Sequence, residues 1–590
     1  MIPMVRSTDL LERTLEQFRF GQPPAPSNGL LFLGEKRHAP GISQTDDMTD
    51  QSPSADRKFF VTVSVPAVFV FQIIALAAAG WINWQALNPD GVAYMRIASY
   101  YAAGRMDLAI SGYWGPLLSW LLVPWLNAGI TAVVAARIVM ALSAVYFLWA
   151  CWRVFVRFGL HGQPLNWALG SVAAVSVFWS VENITPDLLL GALVGHAFSA
   201  MTAARWLERP VAAWQSGLGW GLAYLAKGVA LPVTLLICAG MGALWWSERP
   251  GSRAHLTRSL LFTLLGFSLL AAPWVAILSA KYGQFTFSTS GRLNHAMVGP
   301  ADVHRFYPLD RGFHRPEPAR VTFWEDPQMP YLDWSPLASS GNAFHQLRIV
   351  ARNGCVVLIM LTSVSLAFPV ILSVALRRLC RREWRARLRH SNWWWAALPV
   401  MALALPYLPG NLLITEQRYF YPAVPCLVVL HVGILFRWRK SAATLWIQRQ
   451  GMVLVACAVI VPTLGRAWLR PGPAHAAGVQ AHLLLRKISE AHLAGPIAGS
   501  GSLPGGRTGL YVAFLLDQPW YGDEPHPSAA GFKRSGARLI IVRRENPVVR
   551  ELDADPAFRS LDADLFASPE QARASPLKVY EALSFRPAHQ

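Results

Sequence analysis

Four places along this chain set ionisable side chains against apolar sequence. Asp90 follows the first apolar stretch and opens the helix-like run Asn88-Pro-Asp90-Gly-Val-Ala-Tyr94. Glu182 and Asp187 flank Asn183-Ile-Thr-Pro186, so one turn between two apolar stretches presents two carboxylates. Lys227 sits in Gly221-Leu-Ala-Tyr-Leu-Ala-Lys227-Gly228, and Arg418 opens a further stretch in Thr415-Glu416-Gln-Arg418-Tyr419-Phe-Tyr-Pro422. A positioned carboxylate can accept a proton from a hydroxyl, and fixed cations can stabilise negative charge collecting on a departing group. Each place also has a plainer reading. Aspartate is a good helix amino-terminal cap, and a lysine at a span end snorkels to the headgroups. A charge within otherwise apolar membrane sequence is nevertheless expensive and rarely idle.

Membrane-spanning helices must position these residues. Eleven apolar stretches are the expected spans: 59–82, 131–152, 167–182, 186–204, 212–227, 229–246, 257–279, 350–376, 392–408, 419–436 and 452–469. Several are shorter than the ~20 residues that cross a bilayer straight, and the pair around Lys227 also reads as a broken or re-entrant element. The stretch 115–126 is too short to span and reads as an amphipathic helix in the interface. Alternate connections carry Arg153, Arg157, Arg205, Arg209, Arg249, Arg253 and Arg258, then seven arginines between 377 and 389. Arg437, Arg439, Lys440 and Arg449 follow, against only Glu208, Glu248 and Glu383. The positive-inside rule then puts the amino end inside and the carboxyl end outside. The polar segments 83–113, 280–348 and 409–418 fall together on the outer face with all four ionisable places.

Composition agrees. The chain is 53% hydrophobic with mean hydropathy +0.31, above a soluble protein's balance. Its net charge of +19 lies mostly in short inside loops, where it anchors topology against anionic lipid, so no nucleic-acid partner is expected. Many of the 25 tryptophans sit near expected span ends, including Trp81, Trp84, Trp245, Trp246 and Trp393–Trp395, as interface anchors do. The six cysteines fall in or beside spans without pairing or metal spacing, so no disulfide framework is implied.

Residues 1–58 are polar and lack a signal-peptide core. They are expected to be a disordered cytoplasmic terminus, with Met48 offering an alternative start. Residues 59–470 form the expected transmembrane domain. In 471–590, short apolar runs separated by helix-compatible sequence predict a small extracytoplasmic α/β domain. The pairs Asp553/Asp555 and Asp562/Asp564 read there as surface acid with nothing cationic organised around them. The fold class is a polytopic α-helical membrane protein with a small carboxyl-terminal α/β domain, in the cytoplasmic membrane.

Several motifs occur in one order: Asp90 after the first span, Tyr113-Trp114-Gly-Pro116-Leu-Leu, and Thr185-Pro-Asp187-Leu-Leu-Leu opening a span. Gly-Leu-Ala-Tyr-Leu-Ala-Lys227-Gly, Pro273-Trp274 with Tyr282-Gly283, and Arg418-Tyr-Phe-Tyr-Pro422-Ala-Val-Pro425 follow. Over roughly residues 59–436 that order resembles the C-superfold glycosyltransferases that use polyprenyl-phosphate sugars. The resemblance is to the family 39-like group of protein O-mannosyltransferases and the lipid A aminoarabinose transferase.

The resemblance implies a C-superfold architecture and Asp90 as general base. It implies that Lys227 and Arg418 hold the donor phosphate. Arg292 falls where the family places a further phosphate contact, as do His295, His304 and Arg305, without a firm residue match. Tyr94, Tyr113, Trp114, Glu182, Asp187 and His295 are the expected substrate pocket. The chain departs from the family at Asp90-Gly91, where Asp-Glu is frequent, and at Gly115-Pro116, where two prolines are frequent. The implied partners are a polyprenyl-phosphate sugar donor, membrane lipids, and a lipid, glycan or protein acceptor. No cofactor is expected, with a divalent metal left open; the first outer loop has no Asp-x-Asp pair for a metal-bound nucleotide sugar. Two other classes compete: a lipid or sugar transporter or flippase, which would show paired broken helices in two halves, and a non-catalytic envelope assembly protein.

Overall fold

The computed structural model describes residues 64–301, 312–327, 332–380, 392–410, 416–437, 444–469, 473–500, 507–524 and 526–583. The expected amino-terminal segment 1–58, with Met48, and most of the arginine run 377–389 lie outside them, as do His304 and Arg305.

The first half alternates long apolar helices with short connections. α1 (Val65–Ile82) leads to α2 (Pro89–Ala102), α3 (Pro116–Asn127), α4 (Ala132–Arg157) and α5 (Gly162–Glu182). α6 (Asp187–Met201), α7 (Pro210–Ala226), α8 (Ala230–Glu248) and α9 (Arg253–Tyr282) follow. The second half contributes α10 (Ser340–Val364), α11 (Phe368–Cys380), α12 (Ala397–Ala404), α13 (Val424–Arg437) and α14 (Thr444–Leu469). Eight helical segments among the described residues are long and apolar enough to cross a membrane. Outward-facing Val70, Phe71 and Ile74 on α1, Leu261, Leu265 and Leu269 on α9, and Leu454, Val461 and Leu464 on α14 are exposed, as a lipid-facing surface requires. Inside, Gln72 of α1 is buried and donates to Ser176 Oγ of α5 at 2.8 Å and to the Ala144 carbonyl of α4 at 3.1 Å, tying three helices by polar bonds across an apolar core.

Three expected spans are shorter than a straight crossing. The stretch 186–204 is the 15-residue α6 and 212–227 is the 17-residue α7. The stretch 392–408 is the eight-residue α12 between 3-10 turns Asn392–Ala396 and Leu405–Tyr407, broken up by Pro399 and Pro406. The expected span 350–376 is two helices. α10 begins ten residues earlier, at Ser340 after the Ser339 cap, and ends at Val364; the Leu366 amide then bonds the Ala458 carbonyl in the middle of α14. The signal for that break is Pro369, in the first turn of α11. The stretch 115–126 is the 12-residue α3, which buries Leu118, Ser119 and Leu122 and exposes Trp120 and Leu121, the one-sided pattern expected of an interfacial helix.

The carboxyl-terminal region starts with α15 (Pro473–Glu490) and builds one six-stranded sheet. Its strands are β1 (Gly312–Phe313), β2 (Ile497–Ser500), β3 (Trp520–Glu524), β4 (Leu539–Arg543), β5 (Phe558–Ser560) and β6 (Leu577–Ala582), in the order β1-β3-β2-β4-β6-β5. β3, β2 and β4 run parallel, and the outer pairs are antiparallel. α16 (Thr508–Leu515) connects β2 to β3. The edge strand β1 belongs to the long loop 280–348. Just beyond it, the Trp520 amide bonds the Val321 carbonyl at 2.6 Å. The carboxyl-terminal domain thus reaches outside 471–590 and grips the loop that meets Asp90. The four expected surface acids each take their own cation: Asp553 pairs with Lys578, Asp555 with Lys533, Asp562 with Arg544 and Asp564 with Arg559. Cations are therefore arranged around them after all, but as separate surface pairs that converge on no common centre.

Candidate active site

The three polar segments 83–113, 280–348 and 409–418 meet at Asp90. α2 begins with Asn88 in the cap position, and the Asn88 side chain is spent elsewhere: its Oδ1 accepts from the Ile184 amide at 2.8 Å. Asp90 is therefore not the cap. Its carboxylate lies in the first turn and accepts from Arg418 Nη2 at 2.7 Å through Oδ2, and from the Trp324 indole at 3.2 Å through Oδ1. Gly91 lets α2 pack closely on Ile184 where Asn88 bonds it. A Cβ there would lie 2.7 Å from Asn88 Oδ1 and 2.8 Å from Ile184 Cβ, so the larger side chain frequent in the resembled family has no room in this chain.

Asp187 opens α6 opposite. Its Oδ1 accepts from Lys227 Nζ at 2.6 Å, and its Oδ2 stands 3.9 Å from Arg418 Nε. Lys227 ends α7 where the backbone turns extended, and its ammonium lies 4.3 Å above the Tyr419 ring. Arg418 also faces Glu416 at 3.1 Å. Two cations thus alternate with three carboxylates, and Asp90, Asp187, Lys227 and Arg418 are all at most about a quarter exposed in their side chains. Burial pushes the Asp90 carboxyl up, but the charge and hydrogen bond of Arg418, the Trp324 bond and the charge of Lys227 outweigh it. The net effect holds Asp90 below the usual carboxylate range, so it is ionised at neutral pH.

Aromatic side chains wall the cluster. Tyr94 is buried and meets Trp114 edge-on with centroids 5.0 Å apart. Tyr113 packs on both Trp114 and Trp324, and the Trp114 indole donates to the Trp324 carbonyl at 2.7 Å. Gly115 puts these rings next to Lys227, since a Cβ there would sit 2.4 Å from the Ala226 carbonyl oxygen. Glu182 adjoins through Arg466 at 2.5 Å and Tyr421 at 3.5 Å, and Arg466 donates to Gln417 beside Arg418.

The segment carrying Trp324 was not legible as a site in the sequence, and it is the best anchored part of the loop. Thr322 and Glu325 form a capping box. Tyr100 on α2 donates to buried Glu325 at 2.8 Å. Asp326 accepts from Ser111 at 3.0 Å, Tyr282 at 2.8 Å and Lys281 at 2.6 Å. Burial pushes the Glu325 carboxyl up despite Arg96, the Tyr100 hydroxyl, the Thr322 amide and Arg320.

Two expected residues are not part of the cluster. Arg292 forks onto exposed Asp333. His295 bonds Gln346 at 2.8 Å and stacks on Trp334. Both lie on the short helix Ser290–Ala296, which meets the site wall through the packing of Leu293, Ala296 and the following Met297 against Tyr113 and through the bond from the Thr289 amide to the Gly112 carbonyl. The local sequence is basic and polar because it is a solvated helix face. Among the described residues no three His, Cys, Asp or Glu side chains converge as a metal site would require.

This arrangement of short and long apolar helices, outer loops and an α/β domain is shared with solved structures. The chain is similar in structure to ArnT from Cupriavidus metallidurans bound to undecaprenyl phosphate, with 12% identity, TM-score 0.50, and coverage of 89% of this chain and 99% of that one. It is equally similar to the same protein in the apo state, at 13% identity and TM-score 0.51, covering 89% and 100%. The Archaeoglobus fulgidus oligosaccharyltransferase in complex with Zn and sulfate matches at 12% identity and TM-score 0.45, over 81% of this chain and 68% of that one. No protein-family model and no curated protein matches the sequence.

Proposed function

We propose that the protein is a membrane glycosyltransferase that moves a sugar from a polyprenyl-phosphate carrier to a lipid, glycan or protein acceptor of the envelope. The reaction would take place on the outer face of the cytoplasmic membrane, with the amino end inside, as the arginine bias of the alternate loops supports. The observation that carries the reading is the ionised Asp90 locked to Arg418 one pair away from Lys227–Asp187.

The acceptor hydroxyl gives its proton to Asp90 as its oxygen bonds the anomeric carbon. The bond from that carbon to the phosphate oxygen breaks, and its electron pair leaves with the polyprenyl phosphate. Lys227 and Arg418 take up that charge. An arriving phosphate competes with Asp187 and Asp90 for those cations, and a carboxylate that loses its cation binds a proton more readily. The resting ion pairs therefore hold the base ionised until donor is present. Tyr94, Tyr113 and Trp114 supply faces against which a sugar packs, and Trp324 orients the base.

Mass spectrometry of envelope glycolipids and glycoproteins with and without the gene tests this. Loss of one hexose or pentose modification, restored by the wild-type gene and not by Asp90→Asn, is expected. An unchanged glycan profile would contradict transfer, and a carrier lipid stranded on the inner leaflet would point instead to a flippase.

A further inference from the structure

A cavity of about 590 Å³ lies away from Asp90, in the carboxyl-terminal domain, at the carboxyl ends of the parallel strands β2, β3 and β4. That edge is where open sheets with parallel strands hold ligands, because side chains and helix amino-termini converge there. The volume is that of a small-molecule site.

Its lining is rich in donors. α16 starts at the cavity with Thr508, its amino-terminus without a side-chain cap among the described residues, and presents the positive end of its dipole. Ser500 is buried at 6% exposure and its Oγ has no partner among the described residues; the indole nitrogen of Trp520, at 2% exposure, has none either. A buried donor left unmatched is costly, so two of them lining one cavity point to a ligand that accepts. Arg573 lines the same space and makes no ion pair among the described residues, while Arg544, also in the lining, is held by Asp562. Buried Asp523 also lines the cavity and brings a carboxylate, which suits sugar hydroxyls, whereas Glu545 is paired with Arg543 at 3.0 Å. Unmatched donors, a helix amino-terminus and Arg573 together with the Asp523 carboxylate in one cavity fit a polyol that carries an anionic group.

We infer that this cavity binds an anionic sugar, its phosphate or carboxylate toward α16 and Arg573 and its hydroxyls toward Asp523. The site stands independently of the transfer reaction, although α16 also packs against α2, the helix of Asp90.

Calorimetry on the full chain in detergent tests this with glucose, inorganic phosphate, glucose 6-phosphate and glucuronate. Saturable binding is expected for a charged sugar and not for glucose. Glucose 6-phosphate alone identifies a phosphate, and equal binding of glucuronate identifies a carboxylate. Arg573→Glu, at an exposed side chain that leaves the fold intact, and Ser500→Leu should each weaken binding at least about tenfold. No binding of either charged sugar would overturn the inference, as would binding unchanged in Arg573→Glu. Binding lost in Lys227→Ala but kept in Arg573→Glu would place the ligand at the other cluster and overturn it equally.

Discussion

Two clusters in this molecule pair cations with carboxylates in different settings. Around Asp90, two cations and three carboxylates interlock, enclosed by aromatic rings, with Arg418 within 4 Å of all three acids. On the helix Ser290–Ala296, Arg292 faces one acid, Asp333, and both side chains are about half exposed. The residue types are the same and the physics is not. An exposed pair contributes little, ~0–1 kcal/mol, and needs no explanation beyond solvation. A buried cluster carries a desolvation cost that well-packed apolar residues would avoid, so its presence marks a use for the charge. A basic residue in an outer loop is not a phosphate contact unless the fold encloses it.

The comparison breaks most sharply at Arg418. Arg418→Ala leaves Asp90 and Glu416 without their cation. Removing one partner of a buried pair costs roughly 3–5 kcal/mol, so the purified variant should lose most of its thermal stability. Arg292→Ala should stay within about ±0.5 kcal/mol of wild type; equal losses for the two would erase the distinction between the clusters.

Lys227 comes next. A charge-assisted contact to a donor phosphate is worth ~1.5–3 kcal/mol, so Lys227→Ala should weaken donor use by about ten- to a hundredfold, with Lys227→Arg keeping part of it. Unchanged donor dependence would leave Lys227 as a partner of Asp187 and nothing more.

Trp324→Phe keeps the ring and removes one hydrogen bond to Asp90, which should lower transfer by about two- to tenfold. The smallest effect sharpens the other side: His295→Ala, whose ring meets Trp334 and Gln346, should change transfer less than about twofold, the ordinary scale for a residue remote from the chemistry.

The pH dependence follows from Asp90. Its folded value is depressed, so its contribution to stability is fully present above the unfolded value of ~3.9 and is lost as pH falls through the folded value. Transfer should show no limb from Asp90 in the free enzyme between about pH 5 and 8, given that starting point. An acid limb near pH 6 that vanishes in Asp90→Asn would show the carboxyl to be raised instead.

Much of the site could be read in the sequence because a charge stands out in apolar surroundings. Lys227 and Arg418 interrupt hydrophobic runs, and Asp187 opens one. Trp324, Glu325 and Asp326 could not be read as a site, since they lie in a long loop without periodicity and are placed by a local capping box and by the pairing of the neighbouring edge strand with the carboxyl-terminal sheet. Arg292 and His295 stand apart from the cluster for the converse reason: composition suggested a cationic loop, and the fold pairs Arg292 with exposed Asp333 and stacks His295 on Trp334. The long spans were legible by length and hydropathy. The break after Val364 has only Pro369 to mark it, because the apolar run continues through it and the Leu366 amide finds its partner on α14, about ninety residues further on.

The most direct test of the central claim is Asp90→Asn, measured on one purified preparation for transfer, donor binding and thermal stability. Asparagine keeps the size and can still accept from Trp324, and Arg418 retains Glu416 and Asp187, so the fold should hold. Loss of the base should lower transfer by about 10²–10⁴-fold with donor still bound. A folded Asp90→Asn protein that transfers sugar at the wild-type rate would contradict the account.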